Sequence, residues 1–438
     1  MSYIKHISYA LTNAFQAGNI EPAPLRQRGS DVLGHSPIWL RELCDSLAGQ
    51  KTLLLKSKQL RTYIQTFPAL IEANQRGEIR PPLANYSLPL GKMSPAPDFL
   101  LDSVPAINNS NELLGFLQLS PQALHWLSQP WAAHDIPAQG PLQNYFYHWQ
   151  VKSRADQFRL IEVPKQDLKA IQKKIASEIL NKVPLHPNAH GFRKGHGIKT
   201  CAEKHQNKAW VLKMDLQNFF LSIRYARIYG IFASLGYPPA VARSLTLLSS
   251  NNVPESILKH KIQDWRARQS YKVPHLPQGA PSSPVLSNLA AFKLDCRLTG
   301  LANRLQADYS RYADDLFFSG QNYQDFSQLI PLIAAIVSEE HLHINYRKTR
   351  VMGRGQQQKV AGVVINQQTN LPRKEYDRLK ATLYNCVQYG VASQEGSQPN
   401  FYAHLKGKLA FAKMLNPQKA LKLEQLFAQI NWEPERQC

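Results

Sequence analysis

Acidic residues are scarce in this chain: 31 Asp and Glu stand against 52 Lys and Arg in 438 residues, a net charge of +21 with a pI near 9.7. Long apolar runs are missing too. No stretch of 18 or more apolar residues occurs, so no membrane-spanning helix is expected. The opening residues, Met1 to His6, carry neither the apolar stretch nor the small-residue cleavage site of a secretory signal, which leads us to expect a cytoplasmic chain. Cysteine is sparse. The five present, at 44, 201, 296, 386 and 438, are scattered, odd in number and free of any CxxC or Cys/His cluster. That argues against a disulfide scaffold or a structural zinc and suits a reducing compartment. Internal repeats and low-complexity tracts are absent as well.

What is present is a globular composition, 43% hydrophobic and 19% charged, in a chain long enough for two or three domains. The cationic excess points to a polyanionic partner, because lysine and arginine gain affinity by displacing counterions from phosphates. Residues 1–140 read as one region with no nameable chemistry. Its proline-rich middle, Arg80 to Pro97, cannot propagate a helix and reads as an extended connector. Ser120-Pro121 then starts a helix, with Ser120 as N-cap and Leu124, Trp126 and Leu127 as its apolar face. From about Tyr145 strands alternate with helices: Phe158 to Val163 and Ala209 to Met214 are extended, whereas 166–182 and 284–304 are helical. The tail, 373–438, is expected to hold two helices. One carries Leu379, Leu383, Cys386 and Val387; the other carries Leu405, Leu409, Phe411 and Leu415, with Lys406, Lys408 and Lys413 interleaved. That basic face suits either a nucleic-acid backbone or simple solvation.

The segment Ser310-Arg-Tyr-Ala-Asp-Asp-Leu-Phe-Phe-Ser319 places Ala313-Asp314-Asp315 at a turn between two short strands. Turns favour aspartate for local hydrogen bonding, so the pair alone says little. Adjacent carboxylates nevertheless repel, and divalent metal is the usual reason for keeping them together. A third carboxylate strengthens that reading: Lys213-Met-Asp-Leu-Gln-Asn-Phe-Phe220 puts Asp215 at the exit of the 209–214 strand. Carboxylates from separate strand ends suit a two-metal phosphoryl transfer.

Tyr312-Ala-Asp-Asp315 resembles the YxDD signature of reverse transcriptases, and Asp215 matches their other palm aspartate. Further segments follow in that family's order. Lys152 and Arg159 resemble the fingers cations that hold the incoming triphosphate, with Arg154 an alternative to Lys152. Phe220 stands where these enzymes carry an aromatic steric gate. Pro277-Gln-Gly-Ala-Pro-Ser-Ser-Pro284, with Gln278 and Gly279, resembles the template- and nucleotide-contacting loop. Lys348, in His343-Ile-Asn-Tyr-Arg-Lys-Thr, resembles the lysine of the next palm motif. Val360-Ala361-Gly362 resembles the element supporting the primer end, where Tyr312, Lys406 and Lys408 are also expected to contact primer or template. Pro187-Asn-Ala-His-Gly-Phe192, followed by Arg193-Lys-Gly-His-Gly197, resembles the pre-palm segment of bacterial retron and group II intron enzymes, and the Ala-Pro-Ser-Ser-Pro wording leans toward retrons. Val360-Ala361-Gly362 stands where retrons carry Val-Thr-Gly, and their Asn-Ala-x-x-His element has no clean counterpart beyond Asn251-Asn252.

The resemblance implies an α+β right-hand polymerase. Fingers and palm would occupy 141–370 around an antiparallel sheet, a helical thumb 371–438, and a mainly helical N-terminal extension 1–140. It further implies two Mg2+ ions held by Asp215, Asp314 and Asp315, with dNTPs as substrates. The implied template and primer is a structured noncoding RNA, giving a branched RNA–DNA product in phage defence with an effector protein. No maturase, endonuclease or ribonuclease H module is expected after the thumb. The alternatives are a non-retron defence-associated reverse transcriptase and an inactive palm-fold RNA-binding protein.

Overall fold

The computed structural model describes residues 3–16, 21–50, 57–79, 93, 103–128, 144–151, 158–259, 261–396 and 398–432. Lys152, Arg154 and, apart from Met93, the 80–97 connector lie outside the described residues. The chain divides into two compact units.

The first unit comprises Met1–Leu100, Ala106–Leu119 and Ala233–Ala242. Its helices α1 (Tyr3–Gln16), α2 (Pro22–Leu33), α3 (Ile38–Ala48), α4 (Ser57–Gln65) and α5 (Pro68–Gln75) bury one apolar stripe each. Leu11, Phe15, Leu25, Leu40, Leu43, Leu47, Leu60, Ile64 and Leu70 form a continuous core. Removing such side chains from water drives the packing of these short helices, whose intrinsic propensity alone is marginal. Arg28 is buried and donates from Nε to the Ala14 carbonyl at 2.7 Å, satisfying an end of α1 that has run out of helical partners. Helix α6 (Ser110–Leu117) begins at Asn109, whose side chain accepts from Glu112 N.

The second unit comprises Leu101–Pro105, Ser120–Phe232 and Arg243–Cys438. Helix α7 (Pro121–Leu127) starts as the sequence predicts, with Ser120 Oγ accepting from Ala123 N at 3.1 Å. Of its expected apolar face, Leu124 is buried but Trp126 is 40% exposed. A two-stranded antiparallel ribbon follows, β1 (Tyr145–Val151) with β2 (Phe158–Pro164), leading into α8 (Gln166–Glu178) and α9 (Ile198–Glu203). The next sheet is four-stranded and fully antiparallel. It contains β3 (Trp210–Asp215), β4 (Asp308–Tyr312), β5 (Asp315–Gly320) and β6 (Arg350–Gly353) in the order β4-β5-β3-β6.

Among the helices between β3 and β4 are α10 (Phe219–Ser222), α11 (Ser283–Ala290) and α12 (Phe292–Arg304); α13 (Phe326–Glu339) follows β5. The helix expected over 284–304 is thus two helices that meet at Ala291. Strand alternation gives the sheet two faces. Trp210, Leu212, Met214, Leu316 and Phe318 share one, where the Trp210 ring meets Phe326 of α13 edge-on at 5.3 Å. Val211, Lys213, Asp215, Asp315 and Phe317 share the other. There Val211 and Phe317 pack with Cys201, Val360 and Val363.

A hairpin, β7 (Lys359–Val360) and β8 (Val363–Val364), turns through Ala361 and Gly362, both at positive φ (+48° and +85°). Two left-handed residues in a two-residue loop are what a tight hairpin requires. The tail differs from expectation. It holds three longer helices rather than two, α14 (Arg373–Tyr389), α15 (Phe401–Leu415) and α16 (Pro417–Ala428). Asn416 ends one helix and caps the next, accepting from Lys419 N, with Pro417 in the first turn. Leu379, Leu383, Leu405, Leu409 and Leu423 make this module's core, whereas Phe411, assigned to that core from sequence, is 37% exposed.

Candidate active site

The β3–β5 register brings Asp215 directly opposite Asp315 on one face of the sheet. Like charges in cross-strand partnership are destabilising, so the fold must offset them. It does so with two lysines. Lys213, two residues before Asp215 and therefore on the same face, donates from Nζ to Asp315 Oδ2 at 2.7 Å. Lys348, in a 3-10 turn at Tyr346–Lys348, donates to Asp215 Oδ1 at 2.7 Å. Asp215 closes β3 as the one carboxylate on an otherwise apolar or cationic strand, and it is 4% exposed.

Asp314 sits in the two-residue turn between β4 and β5, and its carbonyl accepts from Leu216 N at 2.8 Å, tying the hairpin to the end of β3. Burial, and then the charges of Asp315 and Asp215, push the Asp314 carboxyl above the ordinary 3.8. Burial raises Asp315 as well, against the pull of its hydrogen bond from Lys213. A carboxyl held up by desolvation and like charge is one that a cation relieves.

The turn itself is held from behind. Ala313 has φ +56°, a left-handed conformation costly for a residue with a Cβ. Arg311, wholly buried, donates from Nη1 to the Ala313 carbonyl and to Asn288 Oδ1, both at 3.0 Å. Its Nε and Nη2 fork onto Asp295 at 2.8 and 2.7 Å, and Tyr309 adds its hydroxyl to the same carboxylate at 2.8 Å. Asn288 Nδ2 continues to the Gly191 carbonyl at 2.8 Å. A Cβ on Gly191 would lie 2.6 Å from Ala313 N, so only glycine fits against the turn. On the opposite side of the hairpin, buried His205 bridges Ser319 Oγ and Ser310 Oγ at 2.7 and 2.6 Å.

Asp215 and Asp314 open onto a cleft of about 1310 Å³. Arg159, Phe220, Gln278 and Lys348, singled out from sequence, line the same cleft. Arg159 is exposed on β2 opposite Gln150. Gly279 (φ +131°) packs so closely that a Cβ would meet the Glu162 carbonyl at 2.8 Å, and Glu162 N donates to the Gln278 carbonyl at 2.8 Å. The loop is thereby fixed to β2. Asp315, Tyr312, Gly279, Val360, Ala361 and Gly362 are not among the lining residues. Val360 and Ala361 pack instead with Tyr312 and Phe317 on the sheet face that also carries Asp215 and Asp315, and Lys406 and Lys408 stand exposed on α15.

Sequence reasoning missed several parts of this site. Glu162 is 2% exposed and joined to His275 Nε2 at 3.0 Å and Asn251 Nδ2 at 2.7 Å; alternation along β2, which puts it on the face of buried Leu160, was the available signal. Asp295 and Asn288 carried no local signal. Phe192, another cleft-lining ring, went unremarked as a site residue.

Among the described residues no group of three or more His, Cys, Asp and Glu forms a closed metal cage. Magnesium does not need one, since it retains waters and takes one or two carboxylates together with substrate phosphates. Two oxygen-donor side chains at the mouth of an open cleft fit that requirement.

Residues 125–368 match the family described as reverse transcriptase (RNA-dependent DNA polymerase). The retron Mx162 reverse transcriptase of Myxococcus xanthus is 32% identical over 334 residues, 72% of this chain and 65% of that protein. This chain belongs to the bacterial retron-type reverse transcriptases. The retron Mx65 reverse transcriptase of the same organism is 39% identical over 64% of this chain and 63% of its own length. The retron Ec86 reverse transcriptase of Escherichia coli is 30% identical over 70% and 85%. The matches thus span under two thirds of the two Myxococcus proteins. Membership in the reverse transcriptase family implies dependence on divalent metal. Among the described residues no helix is long and apolar enough to cross a membrane.

Proposed function

We propose that this chain is an RNA-directed DNA polymerase of retron type, copying a structured noncoding RNA into DNA. The observation that carries the reading is the convergence of Asp215 and Asp314 with Arg159, Gln278, Phe220 and Lys348 on one cleft. In this reading residues 141–370 are fingers and palm around the antiparallel sheet, 371–438 the thumb, and 1–140 an extension. The RNA serves as template and primer, dNTPs are the substrates, and the product is branched RNA–DNA made in phage defence beside an effector protein.

Asp215 and Asp314 would hold two Mg2+ ions, with Asp315 supporting. Bound divalent ions supply activation of the attacking hydroxyl and stabilisation of the departing oxygen. The chain's own residues do the rest. Arg159 offers the triphosphate a planar, permanently charged fork, and Lys152 a second cation. Phe220 presents a ring that excludes a ribose 2′-hydroxyl by shape. Gln278 and Gly279, fixed to β2 through Glu162, keep the nucleotide-side loop still, which matters because small misplacements cost rate steeply. Asp215 and Asp314 line the cleft whereas Asp315 does not, which supports assigning the main metal contacts to those two aspartates. The exposed Lys406 and Lys408 would track the backbone of the primer–template duplex.

The test is magnesium-dependent dNTP incorporation on a primed RNA template by wild type and Asp314→Asn. A fall of at least roughly 100-fold, equivalent to about 2.7 kcal/mol of barrier, is expected. Equal incorporation by the two proteins sinks the assignment. Sequencing the nucleic acid that copurifies tests the retron part: covalently joined RNA and DNA from one locus supports it, and unlinked cellular RNA counts against it.

A further inference from the structure

Phe192 is an unusual residue in an unusual conformation. Its φ is +58°, a region that bulky side chains rarely occupy, yet its ring is 46% exposed and lines the cleft. An exposed aromatic gains little from burial, so the fold has no packing reason of its own to hold phenylalanine there.

The backbone leading to it is held firmly. His190 N donates to the Arg311 carbonyl at 2.9 Å, and Arg311 N donates to the Asn188 carbonyl at 2.8 Å. Asn288 holds the Gly191 carbonyl, and Gly191 lies against the Ala313 turn. Phe192 is therefore delivered to the cleft by the same framework that sets the Asp314 turn.

At the cleft its ring meets Phe220 edge-to-face, with centroids 6.2 Å apart at 66°. Phe219 also meets Phe220, at 5.8 Å and 68°. Phe219 is 3% exposed, and the Arg311 guanidinium stands 5.8 Å from its ring centroid. Phe220 is half-buried and in contact with both rings. Without Phe192 it would keep only the Phe219 ring contact, and a half-exposed phenylalanine regains rotamer freedom when a neighbour is lost.

We propose that Phe192 is a positioning residue for sugar selection, clamping the Phe220 ring in the orientation that excludes a 2′-hydroxyl. This rests on the polymerase reading above. The role is in specificity, so its signature is the ratio of kcat/KM for a dNTP to that for the matching rNTP.

The experiment measures that ratio on a primed RNA template for wild type, Phe192→Gly, Phe192→Tyr, Phe220→Ala and the Gly/Ala double variant. Glycine tolerates φ +58°, so Phe192→Gly removes the ring while keeping the backbone. The ratio is expected to fall about two- to tenfold, the range that an edge-to-face aromatic pair is worth. Phe192→Tyr keeps the ring and should keep the ratio. The double variant should discriminate no worse than Phe220→Ala alone, because Phe192 acts only through that ring. Should Phe192→Gly fail to fold, Phe192→Leu, which keeps apolar bulk without a ring, carries the same comparison. A wild-type ratio in the Gly or Leu variant, or losses that add in the double variant, overturns the proposal. Wild type that incorporates neither nucleotide overturns the polymerase reading instead, and the proposal with it.

Discussion

Replacing Asp295 with asparagine keeps the shape of the site behind the Ala313-Asp314 turn but removes its negative charge. Both Asp295 and Arg311 are 0% exposed, so the guanidinium would be left in the interior with no counter-ion. Breaking a buried pair from one side costs about 3–5 kcal/mol, far more than a surface pair of the same length. We expect that loss in chemical denaturation followed by near-UV circular dichroism. Removing both partners, as Asp295→Leu with Arg311→Met, should recover much of the stability, because a well-packed apolar pair avoids the desolvation cost of two ions. Incorporation should nevertheless stay low. The double variant also lacks the Arg311 donor to the Ala313 carbonyl, a charged hydrogen bond worth roughly 1.5–3 kcal/mol, on a turn already held left-handed at Ala313. The assay is the same primed-template incorporation, run on protein shown to be folded. A loss below about 1 kcal/mol for Asp295→Asn would mean the pair carries little of the fold. Full activity in the double variant would mean Arg311 does not set the turn.

Two other outcomes follow from the geometry. Burial holds the His205 imidazole down to about 3, from an ordinary 6.5, while it bridges Ser310 and Ser319. The unfolded chain therefore takes up that proton first as pH falls. The contribution to stability is complete above pH 6.5 and drains as pH drops toward 3, at up to about 1.4 kcal/mol per unit. His205→Gln should flatten the fall of unfolding free energy with acid in that window, and an unchanged slope would refute the assignment. Separately, Lys406→Ala with Lys408→Ala should lower the slope of log affinity against log salt for a primer–template duplex by about one to two, if both lysines meet phosphate. Parallel salt dependence in wild type and variant would place both lysines off the nucleic acid.

Much of the site was legible in sequence because its parts obey local rules. The apolar run 209–214 ending in Asp215, and the apolar flanks of Asp314-Asp315, carry strand and turn signals in a few residues each. Ser120-Pro121 announced its helix for the same reason. What could not be read was whatever joins distant segments. Asp295 is an ordinary acidic residue in a helix until the fold sets it against Arg311, and Lys213 is an ordinary strand lysine until the register places Asp315 beside it. Lys348 was legible by family order, but its contact with Asp215 depends on a chain excursion of 133 residues. The tail was under-read for a different reason. Asn416-Pro417 is a helix-start signal, yet apolar spacing from Leu405 to Leu415 drew attention past it. The break at Ala291 has no such mark, since both halves keep helical periodicity.

The four-stranded sheet that bears the aspartates has two margins, and each is finished differently. Alongside β4, Ala189 bridges Arg311 in parallel register, with hydrogen bonds on either side from His190 and to Asn188. That pairing occupies the margin at Arg311. The other margin is β6, only four residues long and opening on exposed Arg350. Unpaired strand edges invite addition of a foreign strand, and both brevity and charge discourage it. The sheet can therefore place carboxylates at strand ends, beside an open cleft, while both its margins are blunted against strand addition.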